Sequence, residues 1–208
     1  MSRSLALLEF ESMAVGILAT DRMVKKAPVS LLRCGTVHPG RYLALVGGTV
    51  GATEEAHAEG VVVGTEAGAL ISHICLPNPH PALAESLVGG RQEPEGDTLG
   101  ILEFSTSPGL LGVIDRVLKR VPVGLAVARL ADDLGGKALA LIHGDLPDVQ
   151  EAIELAPTCL PEGAVLLQAA IVSRLDENLR TVLGEGTRFA TCRNWRPEGG
   201  EAVPEEED

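Results

Sequence analysis

The sequence predicts an α+β chain of two tandem copies of one module, each a four-stranded antiparallel sheet with helices packed on one face. Two observations predict it. The first is an internal repeat. Leu7-Leu8-Glu9-Phe10 returns as Ile101-Leu102-Glu103-Phe104, Asp21-Arg22 as Asp115-Arg116, Lys25-Lys26 as Lys119-Arg120 and Pro28-Val29 as Pro122-Val123. Eight of the 23 positions in 7–29 are identical in 101–123 at an offset of 94, against roughly one or two by chance. The second is the hydrophobic pattern inside the module, which switches repeatedly between the two-residue period of strands and the 3.6-residue period of helices.

Each element has its own signal. Residues 5–11 are apolar and alternate, hence a strand. Residues 15–27 carry Ile17, Leu18, Met23 and Val24 at helical spacing, with Asp21, Arg22, Lys25 and Lys26 on the polar face. Pro28 stops this helix, because the residue before a proline avoids helical geometry. A second strand spans 29–37, His38-Pro39-Gly40 is a turn, and 41–47 is a third strand. A second helix starts near Thr49 and runs to about Gly64; in the second copy Asp145 reads as the better N-cap, with Pro147 in the first turn. A fourth strand spans 69–76 and a short helix 81–88. The order β-α-β-β-α-β plus a terminal helix is the split β-α-β, ferredoxin-like arrangement. The repeat offset becomes 96 at Gly40/Gly136 and 95 near Leu87/Val182. The second copy therefore gains two residues just before Gly136, in the loop between its second and third strands. The domains are expected at 4–90 and 97–187, with 188–208 an acidic, disordered tail.

Composition narrows the function. Net charge is −12, which argues against nucleic-acid binding, since phosphate neutralisation needs a basic surface. Residues 193–208 hold six acidic and two basic side chains. No segment has the apolar length of a membrane span, and the start lacks the features of a signal peptide. Cys34, Cys75, Cys159 and Cys192 show no CxxC spacing, so a cytoplasmic protein without a disulfide framework is expected. Cys34 and Cys75 read as buried small hydrophobes. No nucleophile–base–orienter set and no nucleotide fingerprint is present, so no enzyme is expected. Glu9 and Glu103 recur without a shared nucleophile and read as strand-end residues.

The segments Asp21-Arg22-Met23-Val24-Lys25-Lys26-Ala27 and Leu45-Val46-Gly47-Gly48-Thr49-Val50-Gly51-Ala52, with the string Leu76-Pro77-Asn78-Pro79-His80, resemble the bacterial microcompartment shell domain. Two such domains in one chain are similar to the tandem, trimer-forming class (BMC-T), which includes the iron–sulfur-carrying trimeric shell proteins of propanediol-utilisation compartments. The resemblance covers residues 4 to about 188. It implies a homotrimeric pseudohexamer with a central pore for small metabolites, tiling with hexameric and pentameric shell proteins around encapsulated enzymes in the cytoplasm.

The resemblance also implies roles for particular residues. The loops between the second and third strands would line the pore: Val37, His38, Pro39 and Gly40 in the first copy, Asp132 and Asp133 in the second. Lys25, Lys119, His80 and Arg174 would lie at the tile edge, where Lys25 and Lys119 otherwise read as solvated helix positions. Cluster-bearing members have Cys where this chain has His38, and a [4Fe–4S] cluster needs thiolates, so no such cluster and no other cofactor is expected. Three copies of His38 on one axis supply the ligand count of a zinc site, which leaves two readings open: a polar pore lining, or a metal at the threefold axis. A metal- or redox-centre-bearing shell subunit and a trimeric ferredoxin-like regulatory protein that binds a small molecule are the alternatives to a structural tile.

Overall fold

The computed structural model describes residues 4–188. The first copy runs β1 (Ser4–Phe10), α1 (Met13–Lys26), β2 (Ser30–Val37), β3 (Arg41–Gly48), α2 (Val50–Glu66), β4 (Leu70–Pro77) and α3 (Pro81–Leu87). The second runs β5 (Thr98–Phe104), α4 (Ser107–Leu118), β6 (Gly124–Arg129), β7 (Ala138–Gly144), α5 (Leu146–Leu155), a 3-10 turn at Ala156–Cys159, β8 (Leu166–Ser173) and α6 (Glu177–Glu185). The expected acidic tail, with Cys192, lies almost wholly outside the described residues.

Both sheets are antiparallel, in the orders β2-β3-β1-β4 and β6-β7-β5-β8, the order of the split β-α-β arrangement. The register repeats as well. Leu7 stands between Leu45 and Ile74, and Ile101 between Leu141 and Ala170. The first helix of each copy is capped by a recurring hydroxyl: Ser12 accepts from Val15 N and Thr106 from Gly109 N. At the second helix the expected ranking of caps is reversed. Thr49 accepts from Ala52 N, whereas Asp145 stands at the N-cap position and makes no side-chain bond.

Strand alternation sends each sheet's side chains to two different cores. Ala6, Leu8 and Phe10 of β1 pack with Ala19 and Met23 of α1 and Ala56 of α2. Leu5 and Leu7, on the opposite face, pack with Leu83 and Leu87 of α3 and with α4 of the second copy. The terminal helix thus covers the face that α1 and α2 leave open, so helices do not all lie on one side as expected. Helix caps also correct the alignment there. His80 caps α3 and Asp176 caps α6, an offset of 96, so the expected one-residue loss does not occur before these helices.

Candidate functional site

The geometry of interest lies at the seam between the two copies and at the loops beside it. Helix α4 is buried along its length except at Arg116, and it packs against β4 and β1 of the first copy. The polar bonds across the seam are specific. Glu9 is fully buried; it accepts from Ser107 N at 2.9 Å and from Arg41 Nη1 at 2.8 Å. Burial pushes the Glu9 carboxyl up, while the Ser107 N–H and the Arg41 guanidinium pull it down. Arg41 Nη1 also donates to Gly136 O at 3.0 Å. Asp115 accepts from His80 N and from Lys119 Nζ, each at 2.7 Å. Ala128 N of β6 donates to Ser86 Oγ of α3 at 2.8 Å. Glu9 is therefore a seam residue, which a strand-end reading does not convey.

The pore-loop candidates fall into two adjacent turns. Val37, His38, Pro39 and Gly40 form the tight β2–β3 connection, closed by Gly40 N donating to Val37 O at 2.9 Å. Gly40 has φ +98°, a conformation that favours glycine. His38 is exposed at the tip. Asp132 and Asp133 sit in the longer β6–β7 loop, where Asp133 has φ +60°. Arg188 Nη2 bonds Asp132 Oδ2 at 3.2 Å and Asp133 Oδ2 at 2.9 Å, and Arg129 Nη2 donates to Asp132 O at 3.1 Å. The Arg41–Gly136 bond ties the start of β3, just after the first turn, to the second loop. Among the described residues of one chain, no three His, Cys, Asp or Glu side chains gather as a metal set. A metal at His38 would need ligands from more than one chain.

The edge candidates separate. His80 and Lys119 meet at Asp115. Lys25 is exposed and, among the described residues, pairs only with Asp21, at 2.7 Å. Arg174 is exposed and has φ +53°, as does Asn78. The fold therefore matches Arg174 to Asn78, and His80 to Asp176. Cys34 is exposed and Cys75 half-buried, against the expectation that both are buried, because β2 and β4 are the two edge strands of the first sheet among the described residues. Sequence reasoning missed Arg41, Ser107 and Asp115 as seam residues. The recurrence of Asp21 as Asp115 was the available signal, but it names no partner. It also missed His57 Nε2 and His73 Nδ1, 2.9 Å apart, which come from different elements and have no counterpart in the second copy.

Comparison with known proteins places this geometry. The BMC domain model matches twice, over residues 4–79 and 98–175. The chain is 31% identical over 186 residues to the bacterial microcompartment shell protein PduT of Citrobacter freundii, covering 89% of this chain and 100% of that protein. It is 28% identical over 196 residues to the carboxysome assembly protein CcmO of a Synechocystis strain, covering 88% of this chain and 65% of that protein. The crystal structure of a microcompartment protein from Desulfitobacterium hafniense superposes with a TM-score of 0.72 at 26% identity, over 86% of this chain and 98% of the other. A fused permuted hexameric shell protein, MSM0275, shares the fold with a TM-score of 0.51 at 18% identity, over 74% and 80%.

Proposed function

Because the chain belongs to the bacterial microcompartment shell-protein family, we propose that three copies close head to tail into a pseudohexagonal tile with a central pore. The chain is a structural shell protein, and the tile is its working form. The observation that carries this is a complementary pair of open faces. Residues buried at the internal seam have exposed apolar counterparts. Leu111 of α4 is 0% exposed and Ile17 of α1 is 57% exposed; Leu83 of α3 is 0% exposed and Leu179 of α6 is 43% exposed. Val24 against Leu118 and Leu31 against Leu125 follow the same rule. The first copy thus presents the surface that α4 and β6 present internally, and the second presents the surface that β4 and α3 present. Repeating the internal seam between chains covers both, and three repeats complete six modules.

The polar bonds of the seam have counterparts ready. Lys137 Nζ already donates to Glu103 Oε2 at 3.1 Å, as Arg41 does to Glu9. In the ring, Glu103 would accept from Met13 N of the next chain, and Lys137 would reach Gly40 O. This brings the His38 turns and the Asp132–Asp133 loops around one axis, where they line the pore and pass small polar metabolites. The role is non-catalytic. His38 serves as a polar lining, and a metal shared by three His38 side chains is the subsidiary form. An iron–sulfur cluster is not part of the proposal, because His38 supplies no thiolate. Tiles would join other hexameric and pentameric shell proteins at edges carrying Lys25, Lys119, His80 and Arg174, enclosing enzymes in the cytoplasm. Light scattering tests the core of the proposal: the expected mass is about three times 21.7 kDa, and a stable monomer at micromolar concentration overturns it.

A further inference from the structure

A cavity of about 460 Å³ opens between the two copies, behind the β6–β7 loop. Its volume is that of a site for one small molecule. The floor is apolar, formed by Leu7, Leu43 and Leu45 on the α3-side face of the first sheet. The walls are cationic: Arg33 from β2, Arg91 from the linker, Arg129 from β6 and Arg188 beyond α6. Among the described residues, Asp132 is the one carboxylate in the lining. Four guanidinium groups around one cavity are unusual in a protein of net charge −12, since like charges in a half-buried space repel. Burial, and after it Arg129, lowers the Arg91 pKa; burial, and after it Arg188, lowers that of Arg129, where Asp133 and Asp132 act in the opposite sense.

Backbone and side-chain acceptors hold the arginines in place. Arg91 Nη1 donates to Leu183 O at 2.8 Å and Arg129 Nη1 to Thr187 Oγ1 at 2.9 Å. Arg188 is held by the carboxylates of Asp132 and Asp133. The loop aspartates therefore act as counter-ions to Arg188 at the cavity wall, and a mobile anion competes with them for its donors.

We infer that this cavity binds a small organic anion, carrying carboxylate or phosphate groups on a carbon skeleton, and that its binding releases the Asp132–Asp133 loop. The apolar floor selects an organic anion over a bare inorganic one, and the planar arginine forks match carboxylate and phosphate oxygens. An anion bonded to Arg188 and Arg129 competes with Asp132 for the same donors, so occupancy frees the loop. The functional consequence, a pore whose lining loosens in response to a metabolite anion, rests on the proposed pore role of that loop.

The test uses the intact protein with two probes, citrate for the carboxylate arm and glycerol 3-phosphate for the phosphate arm, and inorganic phosphate as the control. Isothermal titration should give one site per chain for at least one probe, at least tenfold tighter than inorganic phosphate. Arg91→Ala should weaken that binding at least tenfold. Arg33→Ala, on the exposed edge strand, gives a second variant should Arg91→Ala misfold. Hydrogen–deuterium exchange over 130–137 should rise when the probe is bound. No saturable binding by either probe, or binding that survives both substitutions unchanged, overturns the anion site. Binding without faster exchange at 130–137 overturns the release of the loop. Both readouts are taken whatever the oligomeric state, so a failure of the tile proposal and a failure of the anion site give separate results.

Discussion

Glu9 and Glu103 occupy equivalent positions, yet their surroundings predict opposite consequences of mutation. Glu9 is buried against Ser107 N and Arg41. Glu9→Ala leaves a buried N–H and a half-buried guanidinium without their partner, and should cost on the order of 2–3 kcal/mol of chain stability, read by urea denaturation. Among the described residues the half-open Glu103 pairs with Lys137 alone, so Glu103→Ala should leave chain stability nearly unchanged and instead raise the concentration at which the proposed trimers dissociate. A second residue-scale prediction concerns His57. Burial, and after it His73, lowers its pKa from 6.5 to about 4, and burial lowers His73 and His143 too. Between those two pH values the unfolded chain takes up a proton that folded His57 refuses. The stability due to the neutral ring is therefore complete above about pH 6.5 and is lost as pH falls toward 4. Denaturation midpoints should fall over that window, by on the order of 1 kcal/mol for His57 after solvent screening, and His57→Gln should flatten the curve. None of this was legible beforehand, because a recurring glutamate names no partner and two histidines sixteen residues apart do not announce that a helix and a strand bring them together.

At the scale of elements, the strands and helices lie within two or three residues of where periodicity and proline put them, because each signal is local: alternation, amphipathic spacing, a hydroxyl cap, a stop at Pro28. Their packing distances were not legible. Helix α2 approaches β1 and β4 so closely that a Cβ on Gly64 would stand 2.8 Å from Phe10 Cε1 and 3.0 Å from Leu70 Cβ. Gly64→Ala should therefore destabilise the chain by about 1–3 kcal/mol in spite of the alanine's better helix propensity, seen as a lower Tm with the oligomeric state retained in what folds. Gly51, on the same helix, meets no atom within 4 Å, so Gly51→Ala is the control and should be neutral or slightly stabilising. The caps of α2 and α5 carry the same lesson. Asp145 has the better side chain on propensity, but it makes no side-chain bond to the helix end, while Thr49 does.

At the scale of the molecule, the mismatch between the two copies predicts how the assembly responds. Ile17→Asp puts a charge on a face that is open in the described chain and covered in the proposed ring, so it should leave circular dichroism and Tm of the monomer intact and abolish the trimer in light scattering. Leu111→Asp, the same change at the internal counterpart, should prevent folding, because it buries an unpaired carboxylate. Lys25→Asp should leave trimers intact but reduce the sheets they form in electron microscopy, since its long aliphatic stem is open at the proposed tile edge. Unchanged sheets would make Lys25 a solvated surface residue.

The repeat, the order of elements, the antiparallel sheets and the family were all determined by sequence alone, because periodicity and self-similarity are properties of a linear string. What the tertiary structure decided is which equivalent positions are equivalent in environment. Ile17 and Leu111 align in the string, but among the described residues only Leu111 is covered. The same holds for the arginines of the interdomain cavity: Arg33, Arg91, Arg129 and Arg188 are scattered over 156 positions of sequence, each unremarkable by itself. They line one space because the seam folds the linker, an edge strand and the residues just after α6 around it, and electrostatic repulsion depends on that distance and on burial, not on sequence separation.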